Sequence, residues 1–224
     1  MRRFLRENSL SIVFLALFLT ALVLQAIAGH SAFNAQQDQH MEPHVSLWRF
    51  VTSSAYAGAV MENWQSEYLQ FTLYIVLTVW LLQKGSPESK ALDEGGRQSD
   101  QKQRVGGHAD GDSPGWARVH GVRRAIYENS LLIVMGGIWL GTWLAQSITG
   151  MSEYNSERLS HQQDPLSWVQ YVGTGDFWER TLENWQSEFL AVGTMAIFAV
   201  YLRQRGSPES KPVGAAHHVT GTES

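Results

Sequence analysis

LSIVFLALFLTALVLQAIA, residues Leu10 to Ala28, carries no charged side chain, and 121 positions later LLIVMGGIWLGTWLAQSIT, Leu131 to Thr149, is uncharged again. About 20 apolar residues in a helix span the roughly 30 Å hydrocarbon core of a bilayer, so both stretches read as membrane-crossing helices. The offset extends well beyond them. Glu62-Asn63-Trp64-Gln65-Ser66-Glu67 returns as Glu183-Asn184-Trp185-Gln186-Ser187-Glu188, and Gly85-Ser86-Pro87-Glu88-Ser89-Lys90 returns as Gly206-Ser207-Pro208-Glu209-Ser210-Lys211. With the same 121-residue shift, Arg3 to Lys90 aligns on Arg124 to Lys211 without a gap, and about a third of the positions are identical. Self-similarity at a fixed period marks a repeated structural unit.

Two shorter apolar blocks, Tyr68 to Leu82 and Phe189 to Leu202, follow the first pair. They reach spanning length if the ENWQSE strings supply their outer turns. Helices beginning near Ser54 and Asp176 and running to Leu82 and Leu202 would each hold close to 28 residues, about 42 Å. The expected fold is all-α, with four transmembrane helices in two parallel two-helix repeats. Repeat 1 covers residues 1–90 and repeat 2 covers 119–211, with a linker at 91–118 and a tail at 212–224. A rival reading makes Arg2, Arg3, Arg6 and the apolar run ending Ala26-Ile27-Ala28 a cleavable signal peptide. Against it stands the copy of that run in the middle of the chain.

Orientation follows from the basic residues. Fourteen of the 17 Lys and Arg lie in the N-terminus, the segment 84–124 and the C-tail, and only Arg49, Arg158 and Arg180 lie in the loops inside each repeat. Cytoplasmic loops carry the excess of Lys and Arg, which predicts cytoplasmic termini and linker, with the loops inside each repeat on the outer side of the membrane. An even number of spans per repeat gives both copies one orientation, so they are related by an axis along the membrane normal.

Asn8 or Ser9, and Asn129 or Ser130, are expected to cap the first and third spans. The glycine and proline of GSPESK read as a helix stop, with docking to a cytoplasmic partner as the alternative. Each outer loop contains a short helical stretch, 43–51 and 165–172, the second with Asp164 as cap and Pro165 in the first turn. Trp48, Phe50, Trp168 and Tyr171 would lay those stretches in the outer interface. Residues 91–115 are rich in Gly, Gln, Asp, Ser and Lys, too polar to build a core, and read as a flexible linker, with the tail alike. Gly137 and Gly141 form a G-x-x-x-G that the first span lacks, expected to make a helix contact within the chain or to a second copy.

The chain has no cysteine, which excludes disulfides and thiolate chemistry, and a net charge of −4 with no basic aromatic patch excludes a general nucleic-acid binder. There is no Gly-rich phosphate loop, Ser-His-Asp order or zinc motif, and no cofactor is expected.

The candidate site is the polar belt of the ENWQSE strings. Counting back from Leu82 sets Glu67 about 6 Å inside the outer boundary, and Gln25 on the preceding span lies at a similar depth. Gln146 and Glu188 repeat the arrangement. Asn63 and Glu67 are i, i+4 on one helix face with Ser66 and Gln70 beside them, Glu62 lies one position round, and Trp64 is expected at the interface; Glu183 and Asn184 are the second-copy equivalents. Intramembrane carboxylates are costly and mark a buried pair or a function. Three readings stay open: an interhelical clamp of Gln25, Glu62, Asn63, Glu67, Gln146, Glu183, Asn184 and Glu188; a proton-linked transport site; or a metal site joined by His40 and His161. Beyond the lipid bilayer, the partner classes left open are a second copy and another membrane protein.

The doubled E-N-W-Q-S-E-[YF]-L string, each copy opening a late membrane helix, resembles a bacterial family of integral membrane proteins catalogued as a domain of unknown function. The resemblance covers residues 1 to 211 and implies membrane location and duplication, with no activity to carry over. The expected role is structural or partner-binding, a small carrier is the alternative, and a membrane enzyme comes third.

Overall fold

The computed structural model describes residues 2–221, and among these every regular element is helical. The order is α1 (Arg2–Glu7), α2 (Ser9–Gln39), α3 (Leu47–Val51), α4 (Ser54–Leu77), α5 (Val122–Glu128), α6 (Ser130–Ser160), α7 (Trp168–Val172) and α8 (Gly175–Tyr201), with single 3-10 turns at Gly106–His108 and Gly115–Ala117. Both ends of α2 and α3 recur in α6 and α7 at an offset of 121, and so does the first residue of α4 in α8. α2 and α6 are long and apolar enough to cross a membrane. At 31 residues each they measure about 46 Å, which exceeds a bilayer core by several turns.

Several boundaries differ from the sequence reading. The outer loops, expected from about His30 and Met151, begin only after Gln39 and Ser160, because nothing in the polar stretch 30–39 breaks a helix. α4 ends at Leu77, not Leu82, and holds 24 residues, about 36 Å, against the 28 expected; α8 holds 27. Gly85 therefore lies eight positions past the end of its helix and cannot be its C-cap. Asn8 holds the expected N-cap position of α2 but makes no side-chain cap bond, and Asn129 lies between α5 and α6. Each sits outside helical geometry and donates its amide backwards, to Phe4 O at 2.9 Å and Ala125 O at 2.7 Å. The loop helices start later than expected, at Leu47 and Trp168. Asp164 caps neither; its carbonyl accepts from Arg158 Nε at 2.8 Å.

The chain divides into two compact units, residues 1–61 with 146–171, and residues 62–145 with 172–224. In the first unit each long helix folds back through a loop pinned by an asparagine. Asn34 Oδ1 accepts from Val45 N at 2.9 Å and its amide donates to Val45 O at 3.1 Å; Asn155 does the same with Leu166, at 2.7 and 2.8 Å. The pairing lets a short side chain replace the two backbone bonds that a strand partner would have made. Past each pin, Ser46 Oγ accepts from Arg49 N to cap α3, and Ser167 bonds Gln170 Oε1 through its own N and Oγ.

Trp48 stays exposed at 77 %, as an interfacial ring would, but Phe50 and Tyr171 turn inward and are buried. Phe50 packs on Phe33 and Tyr56 with centroids 5.5 Å away, and Tyr171 on Tyr154 at 5.6 Å. Each ring closes over a glycine of its own long helix. A Cβ on Gly29 would stand 3.0 Å from Phe50 Cζ, and one on Gly150 would collide with the Tyr171 hydroxyl.

In the second unit the two GSPESK strings form matching turns. Ser86 and Ser207 accept from the N–H of Glu88 and Glu209, both at 3.2 Å, and Ser89 and Ser210 accept from Gln83 N and Gln204 N at 3.0 and 2.9 Å. The lysine that ends each string is a carbonyl anchor. Lys90 Nζ donates to Val79 O and Gly96 O, and Lys211 Nζ to Ala216 O, His217 O and Val219 O. These bonds draw the tail onto the first turn, where Thr220 Oγ1 accepts from Gly85 N at 2.8 Å and Gly221 N donates to Ser86 O. Gly85 has φ +83°, and a Cβ there would strike His217 O. Residues 216–221 of the tail, read as disordered from composition, are thus hydrogen-bonded to the rest of this unit.

Candidate functional site

α4 and α8 carry the two ENWQSE strings, and in the second unit these strings meet. Trp185 Nε1 donates to Gln65 Oε1 at 2.8 Å, and Ser66 Oγ donates to Glu188 Oε1 at 3.2 Å. One turn toward the start of α8, Arg180 Nη1 pairs with Glu62 Oε1 at 3.2 Å and its Nε with Asp176 at 3.4 Å. Asn184 donates to Arg180 O at 2.8 Å. Three contacts therefore cross from one string to the neighbourhood of the other.

Of the crossing side chains, Glu62 and Glu188 belong to the polar cluster read from the sequence, whereas Gln65, Ser66, Trp185 and Arg180 do not. Gln65 and Ser66 are fully buried, at 0 % and 1 % exposure, whereas Asn63 and Glu67 are exposed. A helix turns about 100° per residue, so a helix that points Gln65 inward points Glu67 roughly 200° away. Glu67 makes no side-chain hydrogen bond among the described residues, although its charge lies near enough to Glu188 to be felt there. Glu183 is exposed as well. Gln25 and Gln146 belong to the first unit. Gln25 is half-buried without a side-chain hydrogen bond among the described residues, and Gln146 is buried with no partner for its Oε1. Trp64 is half-buried.

Around the Gln65–Trp185 bond lies an aromatic group that the periodicity did not single out. Trp143 stacks on Trp139 at 6.0 Å, meets Trp185 at 5.7 Å and lies 6.0 Å from Phe177. Trp143 Nε1 reaches the wholly buried Thr181 Oγ1 at 3.4 Å. Gln65 Nε2 and Trp139 Nε1 are buried without a hydrogen-bond partner among the described residues. A tryptophan on α6 four residues after another, followed by a tryptophan within ENWQSE, was the available signal. The glycine contact expected at Gly137 and Gly141 is not made among the described residues. A Cβ on either meets nothing within 4 Å, while one on Gly136 would touch Thr72 at 3.7 Å.

Among the described residues no three His, Cys, Asp or Glu side chains are grouped to hold an ion. His40 and His161 each close the last turn of a long helix through the backbone N–H.

An all-helical chain with two helices of membrane-spanning length and a belt of polar and tryptophan contacts defines the class of protein. This chain belongs to the family described as Domain of unknown function (DUF6766), whose model matches residues 1–222. No curated protein and no solved structure matches it.

Proposed function

We propose that the protein is a polytopic inner-membrane protein of four spanning helices, α2, α4, α6 and α8, in two parallel repeats with termini and linker in the cytoplasm. Its role is structural or partner-binding, and the ENWQSE belt near the outer leaflet locks the halves together. The observation that carries this reading is the pair of hydrogen bonds from one string to the other, Trp185 to Gln65 and Ser66 to Glu188. Polar bonds between helices are worth most where no water competes for them. α2 supports the membrane half of the reading. None of its residues is buried, and it exposes Leu10, Phe14, Leu17, Val23 and Ile27 around its whole circumference. A helix apolar on every side belongs in lipid or in a large core.

Topology is tested by reporter fusions. Fusions after Asp100 and Ser224 are expected in the cytoplasm, and fusions at Asn34 and Asn155 outside. An exported linker reporter ends the four-span arrangement. A flux and pH-gradient assay on the purified chain in liposomes separates clamp from carrier. The clamp predicts no flux, whereas flux abolished by Glu67→Gln with Glu188→Gln in a folded protein would make the belt a transport site.

A further inference from the structure

The second unit contains a cavity of about 1120 Å³ at the foot of its helices. Ligand clefts for ordinary small molecules run to roughly 300–1,000 Å³, so this one is large. One wall is apolar and comes from the end of α4, the turn after it and the start of α6: Val76, Val79, Trp80, Leu131 and Leu132. Most of the charged lining comes from the linker, among it Arg97, Asp100, Arg104 and Asp112. Such a division, hydrocarbon on the helices and charge on the cytoplasmic segment, matches an amphiphile lying across an inner-leaflet boundary.

The charges of that wall decide which amphiphile. Arg104 is paired with Asp110 at 3.3 Å, and Asp100 and Glu128 both engage Arg124. Lys90 Nζ is held by Val79 O at 3.0 Å and Gly96 O at 2.9 Å. Arg97 and Asp112 also line the cavity; both are exposed, and among the described residues neither has an ion pair or side-chain hydrogen bond. One cation and one anion at the open side of the same amphipathic cavity fit a ligand that carries both charges.

We propose that this cavity binds the head of a phosphatidylethanolamine, its phosphate on the Arg97 guanidinium, its ammonium on the Asp112 carboxylate and its upper acyl chains against Val79, Trp80 and Leu132. Guanidinium meets phosphate through paired N–H donors, and a primary ammonium donates charge-assisted bonds to a carboxylate. A choline head satisfies Arg97 but has no N–H for Asp112. A glycerol head brings a net negative charge and no cation. The assignment rests on the four-span reading, which brings the foot of α4 and α6 to the cytoplasmic lipid boundary.

The test is retention of lipid by the full chain in mild detergent, offered equal amounts of dioleoyl phosphatidylethanolamine, phosphatidylcholine and phosphatidylglycerol and read by native mass spectrometry. Phosphatidylethanolamine should be retained about tenfold over either competitor, the scale of one charge-assisted bond. Asp112→Asn should erase the preference over phosphatidylcholine without lowering phosphatidylcholine retention. Arg97→Gln should lower retention of both. Equal retention of the three lipids by the wild type, or a preference unchanged in both variants, overturns the site. Vesicle flotation keeps the two readings apart. A chain that floats but shows no head-group preference overturns the site alone, and a chain that does not float overturns the spanning helices and the site together.

Discussion

Asn155 shows how much of this architecture rests on single side chains. Its amide and carbonyl hold both backbone groups of Leu166, as Asn34 holds Val45, and so fix where the chain turns after each long helix. Asn155→Asp keeps the acceptor for Leu166 N but replaces the donor with a carboxylate facing Leu166 O. Leaving a part-buried carbonyl unpaired costs roughly 1–3 kcal/mol. The mutant should melt at a lower temperature in detergent and expose the 160–167 loop to protease, whereas Asn155→Gln, with the same groups on a longer stem, should recover only part of the loss. An unchanged melt would show that the pin is incidental. The sequence displayed this residue twice at the right spacing, yet nothing in a lone loop asparagine says that its partner lies 11 positions away.

At the scale of elements, the repeated GSPESK turns carry a pH dependence. The Glu209 carboxyl hydrogen-bonds to that of Glu88, and that bond, with the mutual repulsion of the two charges, pushes Glu209 above the usual carboxylate range. The Tyr74 hydroxyl also donates to Glu88. A carboxyl whose folded pKa is raised stabilises the native state fully below its unfolded value of about 4.5, and that contribution is lost as pH rises through the folded pKa. Wild-type stability should therefore decline from pH 4.5 toward neutrality. Glu209→Gln keeps a donor for Glu88 at every pH and should flatten that decline. Both side chains are exposed, so the gain at pH 7 should stay within about 0.5 kcal/mol. Parallel melting curves for mutant and wild type across this range would remove the pair from the account. The helix-stop reading of these turns failed because α4 had already ended. What organises them is serine hydroxyls and a lysine ammonium binding nearby carbonyls, with Thr220 and Gly221 of the tail closing onto the first turn.

For the molecule as a whole, the contact to measure is the one between the two ENWQSE strings. Trp185→Phe removes the indole N–H, and Gln65→Leu removes its acceptor together with the unpartnered Nε2. Trp185→Phe alone should cost about 1 kcal/mol, with the double mutant close to the single ones, because each change breaks the same bond. Additive losses would mean that the strings do not hold each other. The sequence drew attention to these strings through their carboxylates, and the structure puts Trp185 on Gln65 and Ser66 on Glu188. Helical arithmetic establishes which residues share a face, but the direction of that face depends on the neighbouring helix.

The sequence by itself determined that the chain is helical, where the long apolar helices lie, and that two of its hexapeptides return 121 residues on. Those properties follow from local composition and from identity between two stretches of one chain. Tertiary structure alone decided how the copies are used. Gln65 and Ser66 are buried while their equivalents Gln186 and Ser187 are exposed, and Trp185 and Glu188 complete the contact from the other side. Two identical strings on two helices need not present the same face to each other, because each is rotated by its own packing. Identical hexapeptides thus become the unlike halves of one contact.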